Sequence, residues 1–112
     1  MKEILFSYGA LQKKETQLKL FGRLLIGSSD ILIGYNIYSI EIMDQLFLSK
    51  GEQKIQLIAV RTNKKDHQII GTAFELSEDE LLSADKFEPA EYKRFLVELA
   101  SGKKAWIYGE TD

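Results

Sequence analysis

A helix start and a helix stop lie close together in the second half of the chain, and they constrain the fold more than any other feature. Ser77-Glu78-Asp79-Glu80 is a capping box, in which the Ser77 hydroxyl accepts from the Glu80 amide and the Glu80 carboxylate accepts from the Ser77 amide. Pro89, the only proline, disfavours helical geometry at Glu88. A helix is therefore predicted from Glu78 to about Phe87. Its apolar side is expected to hold Leu81, Leu82 and Phe87.

Most of the remaining sequence has the pattern of short strands. The strand-like segments are Glu3–Tyr8, Ile31–Ile42, Lys54–Arg61, Gln68–Leu76, and residues 91–99 and 104–110. The polar turn at residues 62–67 predicts that the third and fourth of these segments form a β-hairpin, and Ser101-Gly102 predicts a second hairpin between the last two. Gly34 is expected to be a bulge or a bend.

The helices and strands together define a fold class. A second, shorter helix is predicted at Gln12–Phe21, closed by Gly22, with Leu11, Leu18 and Phe21 available for packing. The tally is five to seven strands and two short helices. This is an α+β fold, with a small mixed, mostly antiparallel sheet curled into a β-barrel and flanked by short helices. At 112 residues, residues 1–112 are expected to form a single domain.

The composition excludes several kinds of catalytic and metal-binding site. There is no cysteine, so thiolate nucleophiles and cysteine-ligated zinc are excluded. The single histidine, His67, lies in the polar turn and is expected to be a solvated surface residue. We therefore expect no metal site and no histidine-dependent triad. Carboxylates, hydroxyls, lysines or backbone groups must carry any reaction.

Charge and hydropathy argue against nucleic-acid and membrane partners. The net charge is -2, and no block of consecutive Lys or Arg is longer than two residues, so no basic face for nucleic acid is expected. No apolar run approaches the ~20 residues that a membrane span needs, and no signal-peptide core is visible. A cytoplasmic location is expected. The oligomeric state is left open, with a monomer plausible.

The segment "LFSYGALQ" joins the first strand to a polar, helix-prone stretch through Tyr8-Gly9. Glycine allows a sharp turn without a Cβ in the way. The amides of Gly9, Ala10 and Leu11 then open the helix-prone stretch, and such amides bind anionic oxygens. These residues alone leave two interpretations open: a tight turn chosen for its geometry, or a turn that binds a ligand.

Four short motifs occur in the order typical of one family. They are Tyr8-Gly9-Ala10-Leu11, Gly71-Thr72-Ala73-Phe74-Glu75-Leu76, Ala84-Asp85-Lys86-Phe87-Glu88 and Tyr92-Lys93-Arg94. In this order, over nearly the whole chain, they resemble the gamma-glutamylcyclotransferase-like superfamily, which includes the avirulence-induced-gene proteins and the gamma-glutamylamine cyclotransferases. The resemblance implies a small β-barrel with a cavity between the first loop and the glutamate-bearing segment.

The resemblance also implies a reaction and a site. In the family, the glutamate of the third motif is the catalytic acid/base, and the first motif binds the glutamyl part of the substrate through backbone amides. Carried over, Glu88 is the candidate catalytic residue, and Tyr8, Gly9, Ala10 and Leu11 are candidate substrate-binding residues. The implied reaction converts a gamma-glutamyl amine or peptide, the small-molecule partner, into 5-oxoproline and a free amine. It needs no metal and no organic cofactor.

The residues themselves leave the role of Glu88 open. It follows the C-terminus of the 78–87 helix, where the negative end of the helix dipole raises the pKa of a carboxyl group. Helical extrapolation places it near Leu81 on the inward side. The alternative is an exposed helix-end residue in an acidic stretch. Asp85 is interpreted as shaping the helix end through local backbone hydrogen bonds, and Arg94 either lines the cavity or lies on the surface.

The chain departs from the family pattern at three positions. Ala84 stands in place of Leu, Ala10 in place of Ser or Thr, and Pro89 in place of Gly. Because proline fixes its own φ at about −65°, Pro89 could aim Glu88 differently. The alternative function is therefore a non-catalytic small-molecule-binding module on the same fold. The cyclotransferase hypothesis requires the Glu88 carboxylate to face the same cavity as the 8–11 loop.

Overall fold

The described part of the chain contains seven strands and three short α-helices. The computed structural model describes residues 2–110. In chain order the elements are β1 (Lys2–Ser7), a 3₁₀ turn (Ala10–Gln12), α1 (Lys14–Phe21), β2 (Ile26–Ile33), β3 (Tyr35–Glu41), α2 (Gln45–Leu48), β4 (Ile55–Arg61), β5 (Gln68–Ser77), α3 (Glu78–Phe87), β6 (Lys93–Glu98) and β7 (Lys104–Gly109).

The strands form one curled mixed sheet in the order β2-β5-β1-β7-β4-β3, with β6 paired to β7. The pairs β1–β5, β2–β5, β3–β4 and β6–β7 are antiparallel, whereas β7 runs parallel to β1 and to β4. Strand β7 pairs with β1 at Trp106 and with β4 at Gly109. The α+β class and the mostly antiparallel, barrel-like curl are confirmed, as a half-barrel.

One predicted hairpin is right and the other is wrong. Strands β6 and β7 pair across Ser101-Gly102 as expected. Strands β4 and β5 do not pair with each other: β4 lies between β3 and β7, and β5 lies between β1 and β2. The reason lies in the turn after β4, where the amides of Thr62 and Asn63 donate to the Gly34 carbonyl. This contact directs the chain along β2, where Gln68 pairs with Ile33.

The bounds of α3 are confirmed, and its buried face is corrected. The helix spans Glu78–Phe87 and carries both hydrogen bonds of the capping box. Leu81 and Phe87 are buried, but the side chain predicted beside them, Leu82, is 49% exposed. Ala84 takes the inward position and is fully buried. A small residue there lets α3 lie close to the sheet.

The first helix is also corrected at its packing face. It begins at Lys14 rather than Gln12, and it ends at Gly22, whose φ is +69°. Leu18 is 53% exposed, contrary to expectation. Gln17 is buried instead, because its amide donates to the Leu11 carbonyl and accepts from the Leu25 amide. The sequence interpretation missed α2, a single turn capped by the Asp44 carboxylate.

Two apolar clusters pack on opposite faces of β1. Leu5 belongs to the cluster beneath the helices, whereas Phe6 belongs to the cluster inside the curl of the sheet. Alternate side chains of a strand point to opposite faces, so one central strand serves both clusters. Because β1 is held on both faces and paired on both edges, the loop that follows it leaves the sheet from a fixed point.

Candidate active site

A small cavity lies where β1 ends, and it brings the sequence-predicted residues together. Its lining includes Tyr8, Gly9, Ala10, Leu11 and Glu88. Its other lining residues are Phe6, Ser7, Phe47, Gln56, Leu57, Pro89, Tyr92 and Tyr108. The cavity measures about 30 Å³, the space of a single water molecule. A larger ligand must therefore displace side chains of the wall.

The loop after β1 presents unpaired backbone amides. The amides of Gln12 and Lys13 donate to the carbonyls of Gly9 and Ala10, at 3.0 Å and 3.1 Å. The amides of Gly9, Ala10 and Leu11 precede the first turn and have no acceptor among residues 2–110. A Cβ at Gly9 would meet no atom within 4 Å. Steric crowding, the expected reason for glycine at this position, is therefore absent.

The Tyr8 side chain joins three strands. Its hydroxyl donates to the Tyr108 carbonyl at 2.6 Å and accepts from the Ala59 amide at 2.8 Å. Burial raises the pKa of the Tyr8 phenol above its usual value, so the hydroxyl stays protonated. These contacts tie the end of β1 to β7 and β4, and they occupy the hydroxyl. The contribution of Tyr8 to the cavity is therefore its ring and backbone.

Glu88 is the residue at which α3 ends. Its amide donates to the Ala84 carbonyl at 3.1 Å, and its φ and ψ of −67° and 142° are extended, as a residue before proline prefers. The side chain is partly buried, and desolvation raises the pKa of Glu88 to about 8. The nearby Lys50 ammonium lowers it, whereas Asp85 and Glu52 raise it further. Burial is thus the main cause of the raised pKa.

The short segment around α2 holds the Glu88-Pro89 corner in place. The Lys50 ammonium donates to the carbonyls of Lys86 and Phe87, at 3.0 Å and 3.3 Å, and so caps the C-terminus of α3. The Asp44 carboxylate accepts from the Ala90 amide at 2.8 Å. The corner that carries the candidate carboxylate is therefore fixed from outside the helix.

A second, more open cleft is also lined by Glu88. It measures about 390 Å³ and shares Glu88, Pro89, Tyr92 and Tyr108 with the small cavity. We call the first the inner cavity and the second the outer cleft. The remaining residues that line the outer cleft are Asp85, Ala90, Lys93, Arg94 and Trp106. Glu88 thus borders both spaces.

The outer cleft contains a network that corrects the interpretation of Asp85. Its carboxylate accepts from Arg94 Nε and Nη2, at 2.7 Å and 3.1 Å, and from the Tyr108 hydroxyl at 2.6 Å. It therefore binds side chains of β6 and β7 rather than the local backbone. The Arg94 guanidinium also lies 4.3 Å from the centre of the Trp106 ring. Of the two positions left open for Arg94, the structure places it on a cleft wall.

Replacing Glu88 by Gln is expected to change how stability depends on pH. The pKa of Glu88 is about 8 in the folded protein, against an ordinary value of 4.5. Between these two pH values the folded state therefore binds more protons at Glu88 than the unfolded state does. The wild-type free energy of unfolding should therefore fall as pH rises from about 4.5 to about 8. Glu88→Gln lacks this loss and should gain about 2 kcal/mol relative to wild type over the window, after allowing for the partial exposure of Glu88.

Urea unfolding of both proteins at pH 4.5 and pH 8.5 measures this difference. Exposed Glu98, replaced by Gln, is the matched control and should follow the wild type. Identical pH trends for wild type and Glu88→Gln would show that the Glu88 pKa is close to its ordinary value.

The sequence matches one family along nearly its whole length. The sequence model of the family described as gamma-glutamyl cyclotransferase, AIG2-like, matches residues 5–111. The chain belongs to this family. No curated protein matched it. The family resemblance inferred from the four motifs is therefore confirmed.

Three solved structures share the fold at low sequence identity. A solution structure from Arabidopsis thaliana is 18% identical with a TM-score of 0.72; 97% of this chain is covered, against 62% of that one. An uncharacterized protein from Homo sapiens is 14% identical with a TM-score of 0.73, and the match covers 99% of this chain and 68% of that one. A gamma-glutamyl cyclotransferase is 13% identical with a TM-score of 0.74, and the match covers 100% of this chain and 68% of that one. This chain thus spans about two thirds of the length of each.

Several lining residues were not predicted from the sequence. Phe47, Gln56 and Leu57 come from α2 and β4, which carry none of the four motifs. Tyr92 did stand in a motif, and its hydroxyl donates to the Leu57 carbonyl across the inner cavity. Within residues 2–110, no cluster of three or more His, Asp or Glu is arranged to hold a metal ion. None of the helices described is long and apolar enough to cross a membrane.

Proposed function

We propose that this protein is a gamma-glutamyl cyclotransferase that converts a gamma-glutamyl amine or peptide into 5-oxoproline and a free amine. Glu88 acts as the single general acid/base. The observation that carries the proposal is that Glu88, with its pKa raised to about 8, borders the same inner cavity as the unpaired amides of Gly9, Ala10 and Leu11. Family membership gives the reaction class.

The chemistry asks for one proton carrier and one oxyanion site. The Glu88 carboxylate takes a proton from the substrate's α-ammonium, and the freed amine attacks the γ-carbonyl carbon. A carbon–nitrogen bond forms and closes the five-membered ring while the carbonyl electrons move to oxygen. The oxyanion then collapses, and the bond to the leaving nitrogen breaks as Glu88 returns its proton to that nitrogen. The ring nitrogen releases the second proton of the former ammonium group to the freed amine or to solvent, which leaves a neutral lactam. A pKa near the working pH suits both transfers.

The loop amides supply the second requirement. Amide donors directed at a point in a water-poor cavity can bind the glutamyl carboxylate or the oxyanion that forms at the γ-carbonyl. Ala10 lacks the hydroxyl that the family has at this position, but the amide role needs only its backbone. The reaction is intramolecular, so holding a bent substrate in one conformation supplies much of the rate enhancement.

The backbone geometry of Glu88 favours catalysis over a binding module. Pro89 is compatible with the extended geometry of Glu88, and Glu88 still lines the inner cavity. The size of the inner cavity, about 30 Å³, does not distinguish the two functions, because a glutamyl group or any other ligand of that size enters only if the wall opens. Substrate binding must therefore move wall residues such as Phe47, Leu57 or Tyr92.

The proposal is tested by detecting released 5-oxoproline with mass spectrometry. The protein is incubated with a panel of gamma-glutamyl amino acids and gamma-glutamyl amines, and we expect enzyme-dependent release from at least one class. A folded protein that releases no 5-oxoproline from any member would contradict the proposal. Measuring ligand binding to the same sample would then test the non-catalytic module.

A further inference from the structure

The outer cleft presents a guanidinium that is fixed in place but only partly paired. Arg94 donates to Asp85 through Nε and Nη2, and Nη1 has no acceptor among the described residues. Trp106 covers one face of the guanidinium, and the Trp106 indole donates to Glu3 at 2.9 Å. The Arg94 side chain is 23% exposed. An arginine held in this way is ready to bind a further anion with little loss of conformational entropy.

Because Glu88 lines both the inner cavity and the outer cleft, one half of the substrate can be placed in each. If the glutamyl half lies against the loop amides, its amide bond must lie beside Glu88, which protonates the leaving nitrogen. Glu88 also lines the outer cleft. A cleft of about 390 Å³ is within the usual size range for small-molecule sites and has room for the leaving amine.

Charge indicates which leaving amines fit the outer cleft. Among the residues that line the inner cavity or the outer cleft, two are cationic, Lys93 and Arg94. Both line the outer cleft, and neither lines the inner cavity. The Asp85 carboxylate already accepts three hydrogen bonds. With its raised pKa, Glu88 is largely uncharged at neutral pH. The cleft therefore stabilises a negative group and offers no unpaired carboxylate to a positive one.

We propose that the outer cleft is the leaving-group subsite and that Arg94 selects substrates whose leaving amine carries a carboxylate. This inference rests on the proposed cyclotransferase function and narrows its substrate class. Favoured substrates are gamma-glutamyl derivatives of amino acids. Derivatives of diamines, whose second amine is an ammonium group, are disfavoured by charge.

Three matched substrates isolate the charge. The gamma-glutamyl derivatives of 4-aminobutyrate, butylamine and 1,3-diaminopropane place a carboxylate, a methyl or an ammonium group after the same methylene chain. We expect kcat/KM to decrease in that order, with about a tenfold step from carboxylate to methyl, the size of one charge-assisted hydrogen bond at a partly exposed site. The readout is 5-oxoproline release for each substrate.

Variants of Arg94 test which group makes the discrimination. Arg94→Gln should reduce the carboxylate preference to about twofold or less. Arg94→Lys should retain part of the preference, because lysine keeps the positive charge but lacks the paired N–H donors of the guanidinium. Arg94→Gln leaves the Asp85 carboxylate without its cation, so the double variant Asp85→Asn/Arg94→Gln keeps the test valid if the single variant folds poorly. Lys65→Gln, in the exposed turn, should retain the full preference.

Each outcome decides the proposal. A carboxylate preference that disappears in both Gln variants supports it. An equal loss for all three substrates would mean that Arg94 contacts the glutamyl half, and would overturn it. Turnover without preference, or a preference for the ammonium group, would also overturn it while leaving the cyclotransferase function intact. No turnover of any substrate would instead contradict the proposed function itself.

Discussion

Glu88→Gln is expected to lower kcat/KM for 5-oxoproline release by at least ~100-fold, since a positioned acid/base contributes about 10²–10⁴. Gln has nearly the same shape as Glu and stays uncharged, so the inner cavity and the corner at Pro89 should be preserved. What is lost is the group that takes the ammonium proton and returns it to the leaving amine. The measurement is substrate-dependent release of 5-oxoproline by equal amounts of folded protein.

Two further variants separate proton transfer from shape. Glu88→Asp keeps a carboxyl but withdraws it by one methylene, so it should retain more activity than Glu88→Gln and less than wild type. Glu98→Gln removes an exposed carboxylate from β6, outside both spaces, and should match the wild type. Glu88→Gln activity within about threefold of wild type would assign the proton transfer to another group and overturn the role of Glu88.

Local sequence signals predicted the element that carries Glu88 because they act within a few residues. The capping box and Pro89 each fix backbone geometry by short-range contacts, and both bounds of α3 agree with the structure. Which side chains face inward was harder to predict. Leu82 is exposed and Ala84 is buried, because the direction of the helix face is set by the sheet beneath it.

Strand partners could not be predicted from periodicity. The segments that became β4 and β5 have good strand patterns and a polar turn between them, yet each pairs with other strands. Pairing depends on contacts that are distant in sequence, such as the amides of Thr62 and Asn63 on the Gly34 carbonyl. The partners of Asp85 were missed for the same reason, because Arg94 and Tyr108 lie on β6 and β7.

The candidate site was predicted by motif order rather than by spacing. Nothing in the residues alone brings Glu88 to the 8–11 loop, since Tyr8 and Glu88 are 80 positions apart in the chain. The family resemblance supplied that association, and the structure places both groups on one cavity. The catalytic role of Glu88 and the binding role of the loop stay predictions. The third and fourth motifs contain most residues of the outer cleft, including Asp85, Glu88 and Arg94, but they did not predict a second space beside Glu88.

Gly71→Ala is expected to destabilise the protein by about 2–3 kcal/mol, which should lower the melting temperature by about 10 °C or more. A Cβ at this position would lie 2.5 Å from the Ser7 carbonyl oxygen and 2.8 Å from Cζ of Phe6. The carbonyl belongs to β1, which is paired on both edges, so it has little freedom to move. The glycine of the second motif therefore allows β5 to lie close to the end of β1.

The same crowding should reach the candidate site, because Ser7 lines the inner cavity and leads directly into the 8–11 loop. Gly71→Ala should thus lose activity as well as stability when both are measured below its melting temperature. Ile70→Val, at the neighbouring residue that is 69% exposed, is the matched control and should change stability by less than ~0.5 kcal/mol.

Stability of Gly71→Ala equal to that of the control would mean that β5 and β1 are not in close contact at Ser7. An active but destabilised variant would show that the loop tolerates a displaced Ser7, and the position of its amides would then depend on the contact of Gln17 with the Leu11 carbonyl instead.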